Sequence, residues 1–170
     1  SVTLVPEEKL GIIVLTNTDV NGFYEALKLE IMDAYLGLPY RNYNQVARGM
    51  QKGNETRQEK EWGLKKDTVD AKPSAALPLS AYAGVYRHAV YGLMYITTQK
   101  GKLVATFEHH HGRNAELGAL GDNRFFAVFN DPLYGRKVWP FSIEKNKVRS
   151  VTVTVADFVE FTPYEFIKIK

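Results

Sequence analysis

The stretch Leu79-Ser80-Ala81-Tyr82-Ala83-Gly84-Val85-Tyr86-Arg87 decides the fold. From it through Phe161, short apolar and aromatic runs alternate with turn residues at a spacing of roughly 8–12 residues. That is the pattern of an all-β sandwich or barrel. Strands are expected near 81–88, 91–98, 102–108, 114–119, 124–130, 136–143, 148–155 and 157–162. Gln99-Lys100-Gly101-Lys102 and Glu144-Lys145-Asn146-Lys147 read as hairpin turns. Val151-Thr152-Val153-Thr154-Val155 alternates cleanly, with one apolar face, and Leu103, Ala105 and Phe107 share a face. Pro140 would remove a ladder hydrogen bond, so its strand is expected to be an edge or bulged there. Eight short meandering strands favour a closed up-and-down barrel, because closure removes exposed edges.

Working outward from the barrel, residues 41–76 differ in kind. Between Arg41 and Lys72 there are eight basic and five acidic residues and few large apolar ones, followed by a Pro- and Ala-rich linker up to Pro78. This reads as a charged helical connector of one or two helices with solvated faces. Residues 1–40 are different again. Val2 to Val5 is a short extended run, Pro6-Glu7-Glu8-Lys9 a tight reversal, and Leu10 to Thr16 a continuously apolar, β-branched strand. Asn17-Thr18-Asp19 and Asn21-Gly22 carry turn and capping chemistry. Phe23, Ala26, Leu27, Ile31, Ala34 and Tyr35 then recur at helical spacing until Gly37 and Pro39 stop the helix. One hairpin and one helix cannot bury a two-sided strand, which needs neighbouring strands and layers on both faces. The fold class expected is therefore mainly β with N-terminal α: a β-hairpin and helices (1–40, 41–76), then an eight-stranded antiparallel barrel (77–170).

Composition narrows the function classes. The chain has 170 residues, 45% hydrophobic and 24% charged, as an ordinary globular protein has. A net charge of +3 without a basic stripe interleaved with aromatics argues against nucleic acid. The longest apolar run, Leu10 to Leu15, is too short to span a bilayer as a helix. Without cysteine there is no thiolate nucleophile, disulfide or cysteine metal site. His109 and His111, spaced to share a strand face, are weak metal candidates, with His88 as a third ligand; a solvated strand end turning at Gly112 is the plainer reading. No cofactor is expected.

Two stretches carry a resemblance. Val2-Thr3-Leu4-Val5-Pro6-Glu7, Gly11-Ile12-Ile13-Val14-Leu15-Thr16-Asn17 and the helix ending Asp33-Ala34-Tyr35-Leu36-Gly37 resemble the end of the serine β-lactamase-like, penicillin-binding-protein-like hydrolases. Leu79 to Lys170, with Tyr82-Ala83-Gly84-Val85-Tyr86, Tyr91-Gly92, Gly101-Lys102-Leu103 and Phe158-Val159-Glu160-Phe161, resembles the C-terminal lipocalin-like domain often appended to them. The resemblance implies a bacterial, exported (periplasmic or secreted) parent enzyme acting on peptides, esters or β-lactam-like amides. The upstream catalytic domain of the same polypeptide would be the barrel's partner, with homo-oligomerisation through the hairpin as a further expectation. Gly84-Val85-Tyr86 also parallels the Gly-x-Trp that opens lipocalins. In a ligand-carrying barrel, Tyr86, Tyr95, Phe107, Phe126, Trp139 and Phe158 are the candidate wall residues, although large rings more often fill such a barrel.

No catalysis is expected from the chain itself. The hydrolase family needs a Ser with Lys one helical turn later, then Tyr/Ser-x-Asn, then Lys/His-x-Gly. Ser142 with Lys145, Tyr40 with Asn42, and His110 with Gly112 have these spacings, but in the wrong order along the chain. Ser142 and Lys145 also fall at a strand end leading into a turn, where residues three apart face opposite ways. The expected function is a non-catalytic accessory domain shaping the parent's substrate access or assembly. The alternative is a module that binds a small hydrophobic ligand.

Overall fold

The computed structural model describes every residue except 18–20 and 158, so part of the expected turn after Asn17 and the candidate wall residue Phe158 lie outside the described residues. The chain divides into two compact units, 1–61 and 62–170.

In the first unit, β1 (Val2–Val5) and β2 (Leu10–Ile13) form an antiparallel hairpin in register Val2↔Ile13 to Val5↔Leu10. The turn is a short 3-10 segment over Pro6–Glu8 that ends with Lys9 in the left-handed region at φ 52°. Pairing continues past β2, where Val14 N–H donates to Ser1 O at 3.0 Å. Helix α1 (Phe23–Tyr35) packs on β2, and Ile12, Val14 and Ala26 are buried there. Asp33, also buried, accepts from the Tyr43 hydroxyl at 2.8 Å, which offsets its desolvation. Helix α2 (Tyr43–Asp70) begins at Asn42, whose Oδ1 accepts from Gln45 N–H at 2.9 Å as an N-cap does. It is one continuous helix with none of its residues buried, and it spans the division between the two units.

The second unit is a closed antiparallel barrel in the order β10-β3-β4-β5-β6-β7-β8-β9. Its strands are β3 (Gly84–His88), β4 (Gly92–Gln99), β5 (Lys102–Phe107), β6 (Asn114–Gly121), β7 (Arg124–Phe129), β8 (Arg136–Glu144), β9 (Lys147–Val153) and β10 (Tyr164–Lys168). Each strand pairs with its sequence neighbour, and β10 closes the ring on β3. The hairpin β1–β2 forms its own sheet, separate from the barrel.

Two expected strands are displaced. The first starts at Gly84 rather than 81, because Leu79–Tyr82 forms a short helix (α3) behind Pro78. The last is Tyr164–Lys168, not 157–162. Val159 N–H and Glu160 N–H both donate to Ala156 O (2.8 and 3.2 Å), so neither amide is free for a ladder, and Pro163 has no N–H to offer one before Tyr164. Pro140 is tolerated without an edge. Phe141 N–H donates to Asn123 O on the β7 side, so the proline nitrogen points to the β9 side, where registered pairing begins only at Phe141. The bulge lies nearby, at Ser142/Ile143.

The two ends of the barrel differ. At one end three hairpins turn on two residues each: Lys100-Gly101, Asp122-Asn123 and Lys145-Asn146, all at positive φ as tight hairpin turns require. Tyr82 of α3 plugs this end. Its ring meets Phe125 and Phe141 edge-on at 4.9 and 5.1 Å, and its hydroxyl donates to Asn123 Oδ1. Gly84 matters to the seam: at φ 146° its ideal Cβ would lie 2.0 Å from Lys170 O, which accepts from Val85 N–H at 2.9 Å. Lys168 Nζ ties the seam to α3 by donating to Ala81 O and Ala83 O at 2.6 Å each.

Outside the wall, the end of α2 lies on β6. A Cβ on Gly118 would come within 2.5 Å of Val69, so only glycine admits the helix this close. Trp62 stacks under the Arg136 guanidinium, 4.4 Å from ring centre to Cζ.

Candidate functional site

All the longer connections (89–91, 108–113, 130–135 and 154–163) emerge at the end of the barrel opposite Tyr82. They surround a cavity of about 120 Å³. Its inner wall is Phe107, Phe129, Val153 and Phe166, residues whose strand alternation turns them inward. Its rim is Tyr91, His110, Tyr134 and Tyr164, with Arg113 and Glu160 as the charged members.

Aromatic pairs hold the rim in shape. Tyr91 and Tyr164 meet edge-to-face at 4.6 Å although 73 residues separate them, and the Tyr91 hydroxyl donates to Tyr164 Oη at 3.2 Å. Phe107 and Phe129 stack at 6.0 Å, Tyr134 lies 5.4 Å from Phe129, and the His110 ring touches Phe107 and Tyr134 at 6.2 Å each. Behind Tyr164, His88 packs between Tyr91 and Phe166 at 5.4 and 5.3 Å. Its Nδ1 accepts from the amides of Val90 and Tyr91 at 3.2 Å each, which closes the β3–β4 turn.

The two rim charges differ in their partners. Arg113 Nε lies 3.0 Å from Asp131 Oδ2, an ion pair that neutralises it. Glu160 bonds to neutral donors: Thr162 N–H at 3.0 Å, and the Tyr164 hydroxyl. The amide of Thr162 and then that hydroxyl hold its carboxyl below the ordinary carboxylate range. The same network pushes Tyr164 up, first through Tyr91 and then through Glu160. The rim thus keeps an ionised carboxylate without a cation beside it, among the described residues.

The candidate wall residues separate. Phe107 lines the cavity. Tyr86 and Trp139 are fully buried below it: the Tyr86 hydroxyl donates to Tyr82 O at 2.6 Å and Trp139 Nε1 to Thr154 O at 2.9 Å. Burial pushes the Tyr86 hydroxyl well above the ordinary tyrosine range. Tyr95 points outward and is exposed. Phe126 is buried on the outer face, paired with Gly118 where Val69 packs. His109 and His111 lie exposed in the turn after β5, not on a strand face, because β5 ends at Phe107. His109 lies 3.7 Å from Glu108, and no group of three or more His, Cys, Asp or Glu is poised to hold a metal among the described residues. His110, between them, is the histidine that reaches the cavity.

A second feature belongs to the first unit. The hairpin face opposite α1 presents Val2, Leu4, Ile13 and Leu15 at 67, 71, 68 and 85% exposure. Beside them Gly11 leaves Leu4 uncovered on its own face, and neither outer edge of the two-stranded sheet is paired among the described residues. Among the described residues, no helix is long and apolar enough to cross a membrane.

The protein family described as "Domain of unknown function (DUF3471)" matches the chain over residues 68–167. The match begins within the last turn of α2 and covers the whole barrel wall but for its final residue. No curated protein and no solved structure matches the chain.

Proposed function

The chain belongs to the DUF3471 family, and on that premise we propose that it is the tail module of a penicillin-binding-protein-like serine hydrolase, with the barrel as a non-catalytic accessory domain. The barrel would shape substrate access to the parent's active site or the parent's assembly. In this reading the hairpin and α1 complete the sheet of the catalytic domain, which stands upstream in an exported bacterial polypeptide.

One observation carries the reading: the exposed face formed by Val2, Leu4, Ile13 and Leu15. Burying one such side chain fully stabilises by about 1.5–3 kcal/mol, and an isolated two-stranded hairpin is marginal in water. Four together on a sheet with both edges open call for a covering layer, and the resemblance of this hairpin to the last strands of the hydrolase sheet favours the catalytic domain as that layer. The absence of catalysis is supported by Ser142 lying on β8 opposite Ser150 while Lys145 sits in the following turn, so the pair cannot act as a helical Ser-x-x-Lys.

The test is removal of residues 77–170 from the full-length parent. The expected result is changed ester or amide kinetics or a changed oligomeric state; unchanged values of both would refute an accessory role. In the isolated chain, Leu4→Lys with Leu15→Lys should reduce self-association in sedimentation. No hydrolysis of a chromogenic ester is expected from this chain alone.

A further inference from the structure

We propose that the open mouth of the barrel is an aromatic cage for a methylated ammonium group, with Glu160 as its counter-charge. The site is independent of the parentage proposed above, because every residue it uses lies in the barrel.

Size sets the first limit. A cavity of about 120 Å³ is somewhat smaller than the roughly 150 Å³ hole that takes a benzene ring, so it suits a compact head group and excludes a lipid chain. Ring geometry sets the second. Tyr91 and Tyr164 stand edge-to-face, Phe107 stacks on Phe129 with Tyr134 beside it, and all five line the cavity. A group entering between them meets aromatic surface from several directions, the arrangement that attracts a soft cation.

Charge decides among ligands of that size. Arg113 is already paired with Asp131, so an anion would find an occupied guanidinium and a repelling carboxylate. A neutral apolar guest would strip water from Glu160 and return nothing for its charge. A bare ammonium would lose its hydrogen bonds to water against walls that are almost wholly carbon. A methylated ammonium avoids each difficulty: it carries little bound water, its surface is methyl, and its charge matches Glu160, whose ionised form the Thr162 amide and Tyr164 hydroxyl already favour.

Choline and 3,3-dimethylbutan-1-ol share one shape and differ in charge, so they make the test. Both are titrated into the 170-residue chain by calorimetry and by NMR of the aromatic side chains. The expected result is millimolar choline binding, about tenfold tighter than the alcohol, the difference corresponding to about 1.4 kcal/mol. Tyr91, Phe107 and Tyr164 signals should shift. Glu160→Gln, which keeps the acceptor for Thr162, should abolish the preference by weakening choline binding and strengthening that of the alcohol, with the melting temperature unchanged. Arg113→Gln, which frees Asp131, should move choline affinity the other way by about two- to threefold, the scale of a surface charge interaction. Equal affinities for choline and the alcohol, tighter binding of benzoate than of choline, or no binding of either would each overturn the proposal.

Discussion

Gly84→Ala puts the closure of the barrel to a quantitative test. At φ 146° the residue occupies backbone space that side chains avoid, and an alanine Cβ would sit 2.0 Å from Lys170 O and 2.7 Å from Lys168 Cε. The lysine arm can swing aside, but the carbonyl cannot move without losing its bond from Val85 N–H at 2.9 Å. Backbone strain of this kind costs about 1–3 kcal/mol, and a lost ladder bond about 1 kcal/mol more. A destabilisation of roughly 2–4 kcal/mol is therefore expected. For a domain of this size each kcal/mol moves the melting point by roughly 4–8 °C, so Tm should fall by about 8–32 °C. The control is Gly101→Ala in the β4–β5 turn, where φ is also positive (78°) but nothing lies within 4 Å of the new methyl. It should cost only the left-handed penalty of about 1–2 kcal/mol. Both melts are read by near-UV circular dichroism, which reports the packing around Trp139. A Gly84→Ala loss no greater than that of Gly101→Ala would refute the claim that this close approach holds the seam.

Other expectations concern the core and the helix on its flank. Tyr86→Phe removes the hydroxyl that donates to Tyr82 O and should cost about 1–2 kcal/mol at neutral pH in urea unfolding. Because burial raises this hydroxyl's pKa in the folded protein above its unfolded value near 10, the stability linked to its proton is complete below about pH 10 and is lost as pH rises through the folded value. The unfolding midpoint of the unsubstituted chain should then fall more steeply above pH 10 than that of Tyr86→Phe; parallel curves would disprove the linkage. Gly118→Val collides with Val69 and should lift the end of α2 off β6. Trp62 fluorescence would then shift to the red as its stacking with Arg136 is lost, while the Trp139 signal stays; an unaltered Trp62 spectrum would show the helix is not held there.

The barrel was legible in the sequence where alternation and turn chemistry agreed. Lys100-Gly101 and Lys145-Asn146 announce tight turns because few residues besides Gly and Asn accept positive φ cheaply. Reading failed where local propensity and long-range closure diverged. Residues 157–162 look like a strand by composition, yet the turn at Ala156 and Pro163 pass that role to Tyr164-Glu165-Phe166-Ile167-Lys168, whose single buried ring, Phe166, is a weak alternation signal. Tyr82 reads as strand and acts as a plug, because its hydroxyl partner Asn123 is 41 residues away. The mouth was the least legible part. Its residues come from four separate connections, and nothing local to Tyr91 or Glu160 records that Tyr164 stands between them. Phe126 shows the reverse error: a buried aromatic on a barrel strand suggests an inner wall, whereas it lies on the outer face, paired with Gly118 where Val69 of α2 packs.

The unequal ends of the barrel divide its labour. Where strands reverse on two residues, an inserted or deleted position would slip the register of a whole hairpin and turn inward side chains out. Where the connections run longer, sequence can change without disturbing the staves. The plugged base therefore tolerates little change in the length of its turns, and the opposite brim tolerates more. Insertions and deletions should consequently be tolerated at the brim and resisted at the base.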